Sequence, residues 1–257
     1  AQGFIQSLHL DVNDFWNKSN KMAEENGMDQ NLAYMYTMSQ ESRGKQWITK
    51  KSLAEYGAKI KFFDGVEEWF NRINKYAQGK SVSVEHYIIS SGLKEMIEGT
   101  SIANEFKCVY ACSFFYSEHE DAIWPAQSVN YTNKTQYLFR IEKGLLNIFD
   151  QRVNTHFQYA DMRIPFSNMI YIGDSDTDVP CMKLVKINGG QSIAVYQKGK
   201  KNKVHELIQD GRVDFITLAD YRAESEIDEI VKKIIVKMAG TSELAALHRK
   251  QIKSLIK

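Results

Sequence analysis

Three carboxylates fall within five residues in Gly173-Asp174-Ser175-Asp176-Thr177-Asp178-Val179-Pro180, directly behind the apolar run Met169-Ile170-Tyr171-Ile172. Like charges at that density repel unless a cation or solvent compensates them, and an all-oxygen donor set suits magnesium better than zinc. Asp174, Asp176 and Asp178 together are therefore a candidate metal-binding constellation. Asp178 also has a plainer reading, as the N-cap of a helix that Pro180 helps to start.

Two further groups could hold a phosphate. Ser90-Ser91-Gly92 ends the apolar run from Val84 to Ile89. There a hydroxyl and backbone N–H groups opening a helix could bind phosphate oxygens, although serines before a helix are commonly N-caps. Lys134 opens a helical pattern carried by Tyr137, Leu138, Ile141, Leu145 and Ile148. A cation at that end faces the positive pole of the helix, which costs roughly 0.3 to 1 kcal/mol. A bound anion would remove that cost, and so would a side chain that bends into water.

These groups have to be positioned by the elements around them. Short apolar runs bounded by turn residues predict buried strands at Val84 to Ile89, Cys108 to Tyr116, Met169 to Ile172 and Ser192 to Tyr196, with a further edge strand from Asp214 to Thr217. Ser117 to Thr132 reads as irregular. Val66, Trp69, Phe70, Ile73, Tyr76 and Ala77 mark a core-facing helix. Ile227 to Met238 mark an amphipathic helix, with a last helix after Thr241. From Asp11 to about Phe62 the pattern is helical and punctuated by Gly27, Gly44 and Gly57, so three or four short helices are expected. Alternating strands and helices predict an α/β fold with a Rossmann-like parallel sheet core, 63–257, and a smaller helical domain, 1–62. Ligands of such sheets bind beyond the carboxyl ends of the strands, where the candidate residues lie.

Taken in order along the chain, these residues resemble the haloacid-dehalogenase-like (HAD) superfamily. Tyr87-Ile88-Ile89-Ser90-Ser91-Gly92 is similar to its second motif, Lys134 within Asn133-Lys134-Thr135 to its third, and Gly173 to Asp178 to its fourth, the GDxxxD form. The resemblance covers about residues 63 to 220, and 1–62 looks like the cap that many members insert between the first and second motifs. It implies a Mg2+-dependent phosphomonoester hydrolase working through an aspartyl-phosphate, on a small phosphorylated substrate. Ser90 and Ser91 would bind phosphoryl oxygens, and Lys134 would neutralise charge on the phosphoryl group and nucleophile. Asp174 would ligate Mg2+, and Asp178 would orient water or Lys134. The family's first motif, DxDx[TV], should precede the cap. Asp11-Val12-Asn13-Asp14 has the wrong spacing and reads as a loop and N-cap, so the nucleophile is expected outside these 257 residues. A catalytically inactive binding or regulatory protein is the alternative, and phosphotransfer to another acceptor is a third reading. Trp16, Tyr36 and Trp47 could shape substrate choice, with core packing as the commoner role for each.

Composition narrows the partners. With 33 basic and 32 acidic residues there is no bulk field for nucleic acid or an anionic membrane. The cluster Lys198, Lys200, Lys201 and Lys203 reads as a solvated turn. Three cysteines without CxxC spacing indicate a reduced, cytoplasmic setting, and no apolar run approaches the ~20 residues of a membrane span. The oligomeric state is not encoded in any feature of this kind.

Overall fold

The computed structural model describes residues 2–255; residues 1, 256 and 257 and the side chains of Gln2, Lys203 and Lys253 lie outside that description. In chain order the main elements are α1 (Gln2–Ser7), α2 (Val12–Asn26), α3 (Gln30–Ser42), α4 (Lys50–Gly57), α5 (Val66–Gln78), β1 (His86–Leu93), α6 (Lys94–Glu98), β2 (Phe106–Tyr116), β3 (Ala122–Gln127), α7 (Lys134–Lys143), β4 (Ile170–Gly173), α8 (Val179–Ile187), β5 (Gln191–Tyr196), α9 (Asn202–Gln209), β6 (Phe215–Leu218) and α10 (Glu226–Leu255). Among the described residues no helix is long and apolar enough to cross a membrane. Cys108, Cys112 and Cys181 form no disulfide.

The chain forms two compact units, residues up to Lys61 with His86–Tyr137, and Phe62–Glu85 with Leu138–Lys257. Within the first unit, the N-terminal helices share a core with the first sheet. Phe4, Ile5, Leu8, Met35, Met38 and Leu53 pack in one cluster with Leu93, Met96, Cys112, Phe114 and Val129.

In the first unit, the helices start where polar side chains can satisfy the open N–H groups of the first turn. The Asp11 carboxylate accepts from Asn13 N (2.8 Å) and Asp14 N (3.0 Å), which confirms it as an N-cap. Gly27, at φ 61°, ends α2 in the left-handed conformation. Thr49 and Ser52 form a capping box on α4. β1 and β2 run parallel, and β3 is antiparallel to β2 at the edge. β3 falls in the stretch expected to be irregular. Its Pro125, opposite Phe114, weakens the strand signal in sequence and is tolerated because the strand is an edge.

The second unit is a βαβαβ arrangement, β4-β5-β6 all parallel, with α8 and α9 as crossovers. α5 turns Trp69, Phe70, Ile73 and Ala77 inward, as its spacing predicts. α7 stops at Lys143, short of Ile148, because Gly144 takes φ 72° and Arg140 donates to the carbonyls of Asn147 and Ile148 (2.8 Å each). The two C-terminal helices expected from sequence are one 30-residue helix, α10, which continues through Gly240. Lys198, Lys200 and Lys201 precede α9, and the Lys203 side chain lies outside the described residues.

Candidate functional site

In the first unit the candidate phosphate residues are carried by β1 and by the start of α7. The turn expected after Ile89 is a bulge inside β1. Ser90 pairs with Ala111, Leu93 pairs with Cys112, and the register shifts between them. Ser91 and Gly92 are thus the extra residues, a device that re-aims side chains within a strand. The Ser90 hydroxyl accepts from Gly92 N at 3.0 Å. α6 has only five residues and takes no side-chain cap, so the helix-opening role expected of Ser90 and Ser91 is replaced by the bulge. Behind it lies Glu95, 4% exposed, whose Oε1 accepts from Phe114 N (3.0 Å) and the Tyr116 hydroxyl (2.7 Å).

Lys134 is 3% exposed, which excludes the expectation of a lysine bending into water. Its backbone N–H donates to the Asn130 carbonyl (3.0 Å), closing the turn that opens α7. One turn on, Tyr137 stacks on Tyr110 (4.4 Å between centroids, 26°) and accepts from Gln127 Nε2 at 3.0 Å. These contacts fix the first turn of α7 against β2 and β3. Trp16 packs against Phe15 and Tyr34 at the core, whereas Tyr36 and especially Trp47 (76% exposed) face solvent, so core packing does not account for Trp47.

In the second unit the GDxxxD residues lie at the carboxyl end of β4. A Cβ on Gly173 would come within 2.7 Å of the Asp178 Cβ and 2.6 Å of the Met182 Cε, so the strand can pass this close to Asp178 only as glycine. Asp178 makes no side-chain cap on α8. Its buried carboxylate accepts from the Tyr171 hydroxyl (2.9 Å) and from Ser175 Oγ (2.8 Å). Burial, then the Asp178 charge, pushes the Tyr171 phenol far up, so it remains a donor. Asp178 therefore folds the loop, while Asp174 and Asp176 are exposed on it. Burial, followed by the negative field of Asp174, pushes Tyr221 up to about 12. Tyr221 follows β6 at the carboxyl edge of the same sheet; its position after a strand was the only sequence signal for it.

No group of three or more His, Cys, Asp or Glu that could hold a metal is present among the described residues. An exposed Asp174 backed by Asp178 suits magnesium, which keeps waters and takes one or two carboxylates plus substrate oxygens, and does not suit zinc or a full calcium cage.

The parallel βαβ units with helical crossovers form a Rossmann-type α/β fold, and a solved structure shares that fold. A crystal structure of a HAD family hydrolase from Salmonella enterica subsp. enterica serovar Typhi superposes with a TM-score of 0.56 at 13% identity, over 90% of this chain. The chain spans about 64% of that protein's length. An uncharacterized protein of Borreliella burgdorferi is 29% identical over 208 residues, 73% of this chain and 71% of its own. No family model matches the sequence.

Proposed function

We propose that the protein is a Mg2+-dependent phosphomonoester hydrolase of the HAD type, acting on a small phosphorylated substrate. The observation that carries this reading is the carboxylate loop at the end of β4, where Gly173 admits Asp178 behind it and leaves Asp174 exposed. Phosphoryl transfer depends mainly on positioning and on cations where charge accumulates. In this reading Asp174 would hold Mg2+, and the metal would supply charge stabilisation to the phosphoryl oxygens. Asp178, engaged by Tyr171 and Ser175, keeps Asp174 in place more than it ligates. Ser90 and Ser91 bind phosphoryl oxygens, and the Lys134 ammonium offsets the charge of the phosphoryl group and its attacker. The reaction this reading implies runs through an aspartyl-phosphate: an aspartate carboxylate displaces the alcohol from phosphorus, and water then releases phosphate and restores the carboxylate. The 1–62 helices act as the cap that selects substrate, and the setting is cytoplasmic, without nucleic-acid or membrane partners.

The test uses the whole gene product with p-nitrophenyl phosphate. Asp174→Asn is expected to weaken Mg2+ activation and turnover together, each on the order of tenfold or more, through loss of an anionic ligand. Unchanged metal dependence would move the metal to another carboxylate. A protein that binds phosphate and never turns over would be a binding or regulatory protein instead.

A further inference from the structure

α3 has no part in the sequence motifs, yet it is tied to both candidate phosphate-binding segments of the first unit. At its start, the Asp29 carboxylate accepts from four donors. Two are its own helix N–H groups, Asn31 N (3.0 Å) and Leu32 N (2.9 Å). The other two come from the loop that launches α7, Ser128 Oγ (2.8 Å) and Asn130 Nδ2. Asn31 Nδ2 adds a bond to the Val129 carbonyl at 2.8 Å. The loop is also braced within itself: Asn130 Oδ1 accepts from Thr132 N (2.9 Å), Asn133 Oδ1 accepts from Asn130 N (2.8 Å), and Asn133 Nδ2 donates to the Ser128 carbonyl (2.9 Å). Since Lys134 N binds the Asn130 carbonyl, the residue that Asp29 grips is the one from which Lys134 starts.

Five residues along α3, the buried Tyr34 hydroxyl donates to the Ser91 carbonyl at 3.0 Å, inside the bulge. The two attachment points are separated by about 7.5 Å of helix axis, a distance that a hydrogen-bonded helix holds fixed. Burial works to raise the Asp29 pKa, but the donors at Leu32, Asn130, Ser128 and Asn31 outweigh it and hold the carboxylate below its usual value, so it stays an acceptor. The Lys134 ammonium is buried, so solvent cannot compensate for a shifted position. Misplacement of a reacting or charge-stabilising group by about 1 Å can cost on the order of a hundredfold in rate.

We propose that α3 sets the spacing of the phosphate-binding groups, with Asp29 positioning Lys134 and Tyr34 positioning the Ser90–Gly92 bulge. The identity of the anion rests on the phosphohydrolase reading; the positioning does not.

The experiment follows the Lys134 side-chain 1H–15N signal in 15N-lysine-labelled protein, and the Ser91 and Gly92 amides, during titration with inorganic phosphate. Asp29→Asn keeps an N-cap oxygen, and Asn130→Ala releases the loop without touching the cap of α3. Both are expected to move the Lys134 signal and to weaken phosphate binding at least fivefold. Tyr34→Phe is expected to move the bulge amides with a similar loss. A role in stability alone would lower the melting temperature and leave those signals and the affinity unchanged in the folded variants, which overturns the proposal. If the unaltered protein binds no phosphate, the phosphohydrolase reading falls. Moved signals would then still support positioning by α3, and unmoved ones would overturn it.

Discussion

The carboxylate loop after β4 shows how one residue without a side chain sets the position of others. The Gly173 backbone lies against Asp178 and Met182, and any Cβ there would overlap both. Gly173→Ala should destabilise the second unit by about 1 to 3 kcal/mol, the usual cost of overpacking, measured as a fall in the urea midpoint. An unchanged midpoint would show that Asp178 can swing away without loss. Glycine before aspartate was visible in the sequence; its reason was not, because close approach of a strand to a later side chain is a tertiary fact. The same holds for Lys134. Its place at a helix start was legible, but its burial depends on strands and loops distant in sequence. Asp29 carried no signal at all, since an acidic residue before a helical pattern reads as an ordinary cap.

At the scale of elements, strands and helices with strong periodicity were readable, and the departures have local causes. β3 was missed because Pro125 interrupts a short edge strand, and α7 was read too long because Gly144 at φ 72° breaks a pattern that Leu145 and Ile148 continue. The contact of α4 with α6 left only its glycines in the sequence. A Cβ on Gly57 would lie 1.9 Å from the Met96 carbonyl oxygen, and one on Gly99 would lie 2.1 Å from that of Ala54. Both neighbours are backbone and cannot rotate aside. Gly57→Ala should therefore separate the two helices and lower the melting temperature more than Gly27→Ala. The Gly27 change meets no neighbour and bears only the strain of its left-handed backbone. Equal melting temperatures for the two variants would show that the α4–α6 contact contributes little.

For the molecule as a whole, stability should fall in two stages on acidification. Burial pushes the His86 imidazole down to about 4. The unfolded chain takes up that proton near pH 6.5, so the stabilisation is complete above about 6.5 and is lost as the pH falls toward 4. Asp228 is raised by burial but lowered more by Lys232, Glu224 N and Arg72, for a net fall. Asp29 is likewise held low. Their contributions are present above about 3.8 and are lost below it, as the pH passes the folded values. The urea midpoint is expected to decline between pH 7 and 5 in the unaltered protein, and His86→Gln should flatten that decline. A parallel decline in both would assign the upper stage to another group.

The division of the chain also determines when each part can fold. It passes between the units at 61/62, 85/86 and 137/138, so neither unit is continuous in sequence. During synthesis the helices up to Lys61 emerge before Leu93, Met96, Cys112, Phe114 and Val129, the residues that complete their core. Until residue 137 has left the ribosome, Phe4, Ile5, Met35 and Met38 lack part of their cover. At roughly 5 to 20 residues per second, that leaves a nascent intermediate, lasting seconds, whose apolar helical surface must be shielded from other chains.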